Sequence, residues 1–126
     1  MPFVRIDLSD TSPETLGPAI GDLIYQAMTE TINVPKDDKF QVISRHAAQH
    51  LVHPQSYLGV TYSPGFVVIQ ITLNQGRTVE MKKAFFKRVA DDLHEKLGIR
   101  REDVFINLVE VMKENWSFGN GEMQYA

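Results

Sequence analysis

Residues 2–8 read Pro2-Phe3-Val4-Arg5-Ile6-Asp7-Leu8, and this opening stretch indicates how the fold begins. Val4, Ile6 and Leu8 alternate with Phe3, Arg5 and Asp7. An alternation of period two predicts a β-strand with one face turned toward a core. The chain therefore begins with a strand that starts directly after Pro2.

Pro2 also carries a chemical possibility that an internal proline lacks. An initiator methionine is commonly trimmed when the second residue is small, and removal of Met1 would leave Pro2 with a free secondary amine. An α-amino group titrates near pH ~8, so burial or a nearby charge would make it an acid or a base near neutral pH. The alternative interpretation is that Pro2 only gives the first strand a rigid start.

A first helix and a second strand follow. Residues 11–14, Thr-Ser-Pro-Glu, are typical of a helix start, and apolar residues at helical spacing continue to Ile32. Pro18 predicts bent first turns or a delayed start. Residues 40–45 are predicted to form a strand, and residues 46–65, with two prolines and two glycines, are predicted to be a loop.

The second half of the chain repeats this order. Residues 66–73 are apolar and β-branched, which indicates a buried strand. Thr78 is predicted to cap a second helix that ends before Gly98. Residues 104–111 are predicted to form the last strand. The predicted core face of the second helix is Met81, Phe85, Val89, Leu93 and Leu97.

The predicted fold class is therefore α/β (α+β), with tandem β-α-β units that form a four-stranded sheet and two helices on one face. We interpret residues 1–126 as a single domain with pseudo-repeat halves 2–46 and 65–111, offset by about 64 residues, and a tail over 112–126. The second face of such a sheet stays uncovered in a monomer, which predicts an oligomer.

Composition excludes several classes of function. A net charge of -3 offers no basic stripe for nucleic acid, and the absence of cysteine excludes disulfides and thiolate chemistry. No apolar run approaches the ~20 residues of a membrane helix, and the start does not resemble a signal peptide. We expect a cytoplasmic protein with neither nucleic-acid nor membrane partners.

Three histidines lie close together in the sequence, but their surroundings do not indicate a metal site. His46, His50 and His53 cluster, but Pro54 interrupts any helical spacing, and second-shell carboxylates are absent nearby. We predict no metal and no cofactor.

Two motifs connect the chain to a known family. Residues 34–41, Val-Pro-Lys-Asp-Asp-Lys-Phe-Gln, form an acidic turn, and residues 115–121 read Asn-Trp-Ser-Phe-Gly-Asn-Gly. Together with the Met-Pro start, they resemble the tautomerase superfamily, and within it the malonate semialdehyde decarboxylase group. The resemblance spans essentially the whole chain and implies a homotrimer with sites near subunit boundaries.

The resemblance also implies roles for individual residues. It places the catalytic groups at Pro2, Asp38 and Arg77. The family's usual Arg-x-Arg pair is replaced here by Gln75-Gly76-Arg77, which leaves Arg77 as the only cation of that stretch. The residues expected to bind substrate are Arg77, Gln75, Trp116 and Phe118, with the two aromatic residues forming an apolar wall over the proline.

These residue types support more than one reaction. Arg77 presents a planar fork of donors that fits the carboxylate of a small oxo acid. A neutral Pro2 would move a proton during keto–enol tautomerisation, whereas a cationic Pro2 would stabilise the enolate left by decarboxylation. An iminium ion with an aldehyde is a third possibility. If the Asp38 carboxylate lies close to Pro2, it favours the cationic form of the Pro2 amine. The distance between Asp38 and Pro2 therefore discriminates between the modes.

The functional prediction is a tautomerase-superfamily enzyme that uses Pro2 as acid or base on a small oxo acid, by tautomerisation or by decarboxylation of the malonate semialdehyde type. The alternative is a non-catalytic, oligomeric small-molecule-binding module with the same fold. In that case Asp37 and Asp38 are solvated loop residues and Arg77 is a solvated residue at a helix start.

Overall fold

The computed structural model describes residues 2–125. Within this range, 3-10 turns lie at Ala48–His50, Arg101–Asp103 and Lys113–Asn115. The strands and α-helices, in chain order, are β1 (Phe3–Ser9), α1 (Leu16–Thr31), β2 (Phe40–His46), β3 (Ser56–Tyr57), β4 (Val60–Thr61), β5 (Val67–Asn74), α2 (Val79–Leu97) and β6 (Val104–Val111).

The four long strands form one mixed sheet in the order β2-β1-β5-β6. The pairs β1–β2 and β5–β6 are parallel, and β1 and β5 run antiparallel at the centre. Phe3 lies opposite Phe40 in the first pair, and Val67 lies opposite Val104 in the second, so both partners recur 64 residues later. The predicted fold class, two strand-helix-strand units in one sheet, is confirmed.

The two helices pack against each other and against one face of the sheet. The predicted core face of α2 is confirmed, because Phe85, Val89 and Leu93 are buried, while Met81 and Leu97 pack at the edge of the core. The sheet contributes the alternating apolar residues of its helix-facing side, chiefly Val4, Ile6, Leu8, Val67, Ile69, Ile71 and Leu73.

Helix α1 begins later than residues 11–14 suggest, so that expected start is wrong. The stretch forms turns instead, in which Ser12 donates to the carbonyl of Ser9 and Leu16 donates to that of Pro13. The helix begins at Leu16, which leaves Pro18 in the first turn. A proline is tolerated there because the first backbone N–H groups of a helix have no intrahelical acceptor. Of the two outcomes predicted from Pro18, bent first turns or a delayed start, the structure shows the delayed start.

The predicted loop over residues 46–65 is not wholly irregular, which corrects the sequence interpretation. It contains a small hairpin of β3 and β4. The turn passes through Leu58 at φ 49° and Gly59 at φ 83°. Tight hairpin turns need positive φ and are normally announced by Asn-Gly or Asp-Gly. Leucine is an unusual residue in that conformation, so the sequence gives no signal for this hairpin.

The face of the sheet opposite the helices is partly apolar and uncovered. Phe40, Val42, Phe105 and Val109 lie on it and are 37–47% exposed. They alternate with residues that contact the helices, as the pleat requires. Within residues 2–125, neither helix combines the length and hydropathy needed to cross a bilayer.

Candidate active site

Pro2 is buried at the start of β1 and lines a cavity of about 250 Å³. The other residues of this cavity, called the Pro2 cavity below, are Phe3, Phe40, Trp116, Ser117 and Phe118. Apart from the Ser117 hydroxyl, all these side chains are apolar or aromatic. The cavity thus surrounds the first residues of the chain with a mostly apolar wall.

Three aromatic rings build that wall. The rings of Trp116 and Phe118 stack with centroids 5.5 Å apart and an interplanar angle of 17°, and Phe118 stacks on Phe40 at 6.3 Å. Phe40 begins β2 directly beside β1, so the sheet register brings the start of β2 to Pro2. The fold therefore brings together Pro2, Trp116 and Phe118, three of the residues singled out from the sequence.

Asn74 connects the aromatic wall to the sheet. The indole Nε1 of Trp116 donates to Oδ1 of Asn74 at 2.7 Å, across 42 positions of the sequence. Asn74 is the last residue of β5. Sequence reasoning missed this residue, because an asparagine before a turn is ordinary and nothing in the pattern points to an indole in the tail.

Arg77 is tied to the backbone at the end of β5. Its Nε donates to the carbonyl of Ile32 at 3.1 Å, and its Nη1 donates to the carbonyl of Asn74 at 2.9 Å. Arg77 and Gln75 together line a second cavity of about 330 Å³, with Ile32, Asn33, Gly76 and Met81. The structure thus brings Arg77 and Gln75 together, but not into the Pro2 cavity. Asn74 connects the two cavities, because its side chain accepts a hydrogen bond from Trp116 and its carbonyl accepts one from Arg77.

A carboxylate offsets the positive charge beside Arg77. Lys82 donates to Glu110 at 2.7 Å and holds the pKa of that carboxyl below its usual range. The backbone N–H of Gly76 and the charge of Arg77 lower the same pKa further. A cation near a helix N-terminus is unfavourable to the helix dipole, and these contacts explain how Arg77 is accommodated there.

Asp38 lies in the turn that precedes β2 and is half-buried. Its backbone N–H donates to the carbonyl of Pro35 at 3.3 Å. The parallel register of β1 and β2 places this turn at the same end of the sheet as Pro2. The Asp38 side chain does not line the Pro2 cavity of a single chain.

The opposite end of the sheet holds a larger cavity of about 520 Å³, lined by Ser9, His53, Tyr62 and Phe66 among others. His46 also lies at that end, where its Nε2 is 2.6 Å from Oδ1 of Asp7. Among the residues that the structure describes, no three His, Cys, Asp or Glu side chains are grouped as they would be around a metal ion.

Comparison with known proteins identifies the family. A sequence profile described as "Tautomerase enzyme" matches residues 38–119. This chain belongs to that family. It is 43% identical over 124 residues to the probable tautomerase YusQ of Bacillus subtilis (strain 168), an alignment that covers 98% of each protein.

Two solved structures show which group of the superfamily this chain resembles. A malonate semialdehyde decarboxylase inhibited by 3-bromopropiolate is 32% identical, with a TM-score of 0.89 over 98% of this chain and 93% of that one. A second malonate semialdehyde decarboxylase, solved in wild-type, mutant and inactivated forms, is 28% identical, with a TM-score of 0.87 over 98% and 95%. The resemblance to the decarboxylase group of the superfamily is confirmed, and the chain is an enzyme of the tautomerase superfamily.

Proposed function

We propose that this enzyme acts on a small oxo acid, with Pro2 as its acid or base once Met1 has been removed. The observation that carries the proposal is the burial of Pro2 in a cavity walled by Trp116, Phe118 and Phe40. The 43% identity to a probable tautomerase supports the same reaction class. No metal or cofactor is required for the chemistry proposed.

The surroundings of Pro2 favour its neutral form. The lining of the Pro2 cavity contains aromatic rings and one hydroxyl, at Ser117, and no charged side chain of the same subunit. Burial among apolar groups disfavours the charged form of an amine and lowers its pKa. A neutral secondary amine near pH 7 is a base, so proton abstraction is the mode that this geometry supports best.

Keto–enol tautomerisation follows from that protonation state. The lone pair of the Pro2 nitrogen takes a proton from the carbon next to the substrate carbonyl, and the C–H electrons form the carbon–carbon double bond of an enolate. The ammonium then returns the proton to the enolate oxygen, which gives the enol. The reverse sequence converts enol to ketone. Ser117 lines the cavity, and its hydroxyl is the proposed donor to the developing oxyanion.

Arg77 and Gln75 are proposed to bind the substrate carboxylate. In one chain they line a separate cavity, and Asn74 connects it to the Pro2 cavity through hydrogen bonds with Arg77 and Trp116. The proposal therefore places the complete site in an oligomer, near a boundary between subunits. The uncovered sheet face supports such an assembly, because four apolar residues on it are 37–47% exposed. Its proposed form is the homotrimer implied by the family resemblance.

Decarboxylation is the second candidate, and the structural likeness to two malonate semialdehyde decarboxylases favours it. In this mode a cationic Pro2 donates to the aldehyde oxygen of malonate semialdehyde. The bond to the carboxylate breaks, its electron pair forms the enolate, and carbon dioxide leaves. The enolate carbon then takes a proton from the Pro2 ammonium, which returns to the neutral amine and regains a proton from water. The mode requires a carboxylate near Pro2, and Asp38 is the proposed one.

The test begins with the intact mass of the natively produced protein, which is expected to lack Met1. Phenylenolpyruvate and malonate semialdehyde are then assayed with the wild type and with Pro2→Ala. Positioned acid–base groups contribute about 10²- to 10⁴-fold in rate, so a loss of that size is expected for the substrate actually used. Pro13→Ala, in the exposed turn before α1, is the matched proline control.

An unchanged rate for Pro2→Ala, with the oligomer intact, would refute the proposal and support the non-catalytic binding module. Retention of Met1 in the native protein would refute it as well, since the ring nitrogen would then be a peptide nitrogen. The pH–rate profile separates the two reactions. An acidic limb marks a base, whereas activity that requires the protonated amine marks the decarboxylation mode.

A further inference from the structure

We infer that Asn74 is a positioning residue that holds the tail, residues 112–125, over Pro2 through its hydrogen bond to Trp116. The inference rests on the proposed function of the Pro2 cavity and deepens it. Asn74 does not line that cavity, and it acts on the substrate through the indole that it fixes. We call the Asn74–Trp116 pair the latch.

The tail is bonded mostly to itself. The backbone N–H of Phe118 donates to Oε1 of Gln124 at 2.9 Å, and Nε2 of Gln124 donates to the carbonyl of Gly119 at 3.0 Å. The ring of Tyr125 meets Phe118 edge to face, with centroids 5.2 Å apart. These contacts shape the tail as a unit, but they do not attach it to the sheet.

Among the described residues, the latch is the one hydrogen bond between the tail and the rest of the chain. Its length of 2.7 Å lies at the short end of the range for an N–H···O bond. The remaining attachment is apolar, through the stacking of Phe118 on Phe40. Stacking fixes distance but tolerates sliding, whereas a hydrogen bond also fixes the direction of the indole.

The sheet side of the latch is itself held in place. Asn74 ends β5, whose antiparallel register with β1 sets Thr72 opposite Phe3 and so brings Asn74 to the end of the sheet where Pro2 lies. The Asn74 carbonyl accepts from Arg77. The sheet and Arg77 thus hold the backbone of Asn74, and its side chain gives the donor from the tail an acceptor at this end of the sheet.

Loss of the latch is expected to act on substrate binding. An intramolecular hydrogen bond contributes a net stabilisation that corresponds to about a fivefold change in an equilibrium constant. If this bond keeps the aromatic wall closed, its removal raises KM by about that factor and leaves kcat nearly unchanged, because Pro2 is untouched.

The chain offers a direct reporter of the latch, since Trp116 is its only tryptophan. Emission from this indole and its quenching by acrylamide are measured on the full-length oligomer of the wild type, Asn74→Ala and Asn74→Asp. Asn74→Ala is expected to shift the emission to longer wavelength and increase quenching. Asn74→Asp replaces the amide oxygen by a carboxylate oxygen, which still accepts from the indole, and is expected to match the wild type in both measurements. Thr29→Ala, which loses one side-chain hydrogen bond on α1, is the matched control.

Kinetics supply the second readout. Trp116→Phe keeps an aromatic ring but removes the donor, so its KM is expected to rise as in Asn74→Ala. The double variant is expected to show no further increase, because both changes remove the same bond. Urea midpoints of all variants establish that they are folded.

Quenching in Asn74→Ala equal to that of the wild type would overturn the inference. So would additive effects of the two single changes on KM, or an Asn74→Asp protein that is folded but as exposed at Trp116 as Asn74→Ala. The fluorescence measurement needs no turnover. An inactive wild type with an exposed indole in Asn74→Ala would therefore refute the proposed function while it supports the latch.

Discussion

Pro2 and Phe66 occupy equivalent places in the two halves of the fold, because each directly precedes a central strand and those strands begin 64 residues apart. Each residue also lies against a segment that follows an outer strand. Trp116–Phe118 covers Pro2, and Val52–Pro54 lines a cavity of about 490 Å³ at Phe66. The backbone N–H of Phe66 donates to the carbonyl of Ser63 and is an ordinary peptide nitrogen. Phe66 therefore has no free amine, whereas Pro2 would gain one on the proposed removal of Met1.

The first prediction concerns Asp38. If its carboxylate stabilises the cationic form of Pro2 in the oligomer, Asp38→Asn lowers the pKa of the Pro2 amine. For the tautomerase reaction, the acidic limb of the kcat/KM profile then moves to lower pH. For malonate semialdehyde, the rate at neutral pH falls, because less of the amine is protonated.

Asp37→Asn is the matched control, since Asp37 is exposed in the same turn. It is expected to leave both measurements unchanged. Equal profiles for the two variants would show that Asp38 is a solvated loop residue.

The second prediction separates two roles of Arg77. Lysine keeps the charge but cannot reproduce the two bonds to the carbonyls of Ile32 and Asn74. Arg77→Lys is expected to lower the free energy of unfolding by about 1–2 kcal/mol. Urea denaturation measures this loss, and Lys83→Gln, an exposed change on α2, serves as control.

Carboxylate binding by Arg77 has its own readout. Arg77→Gln is expected to raise KM for phenylenolpyruvate much more than for its methyl ester, because only the former carries the charge that Arg77 would bind. An equal increase for both would mean that Arg77 acts on the site only by supporting the backbone.

The third prediction concerns Asp103, which is 2% exposed. Its carboxylate accepts from the backbone N–H of Ser63 at 2.8 Å and from Arg100 at 3.3 Å, and so ties the hairpin segment to β6. Asp103→Ala leaves the partly buried N–H and hydroxyl of Ser63 without this acceptor and is expected to lower the free energy of unfolding by about 1–3 kcal/mol.

Asp103→Asn keeps one acceptor oxygen and is expected to lose less. Glu102→Ala, at an exposed neighbouring position, is expected to change the urea midpoint little. A midpoint for Asp103→Ala equal to that of Glu102→Ala would contradict the assigned role.

The fourth prediction follows from the lowered pKa of Glu110, caused chiefly by its hydrogen bond from Lys82. The unfolded-state pKa of a glutamate is near ~4.3, and that of folded Glu110 is lower. At a pH above the unfolded-state value the ionised carboxylate therefore stabilises the fold, and this contribution is lost as the pH falls through the folded-state pKa. Lys82→Met is therefore expected to reduce the stability difference between pH 7 and pH 3. Urea midpoints at the two pH values measure this, and Lys83→Met is the control that should retain the wild-type difference.

The fifth prediction addresses the uncovered sheet face. Val42 and Val109 lie on it and are 39% and 37% exposed, so a lysine at either position would place a charge in the proposed subunit interface. Light scattering after gel filtration is expected to show a trimer for the wild type and smaller species for Val42→Lys. A monomeric wild type would contradict the assembly, and with it the shared site.

The local pattern of the sequence determined the elements that obey a simple period. Alternation over residues 2–8 and helical spacing over residues 81–97 predicted β1 and α2 because each residue's burial there depends on its own position in a strand or helix. Gly98 ends α2 at φ 70°, as a glycine after an apolar run suggested. The recurrence of this order in both halves was enough to predict one sheet with two helices on one face.

The sequence also singled out Pro2, Trp116 and Phe118, through the family resemblance, and the fold brings them to one cavity. Their chemical roles stay predictions. Neither periodicity nor resemblance indicated that Asn74 would hold Trp116 or that Arg77 would bind two backbone carbonyls.

Tertiary structure alone decided these contacts. Asn74 and Trp116 are 42 positions apart and meet because the strand registers determine which ends of β1, β2 and β5 lie together. A register belongs to a pair of strands, so it cannot be read from either strand alone. The hairpin at Leu58 escaped prediction for a related reason, since a positive φ runs against the local preference of leucine and accompanies the pairing of β3 with β4. Sequence thus specified the elements and singled out Pro2, and the packing of the sheet specified what surrounds that residue.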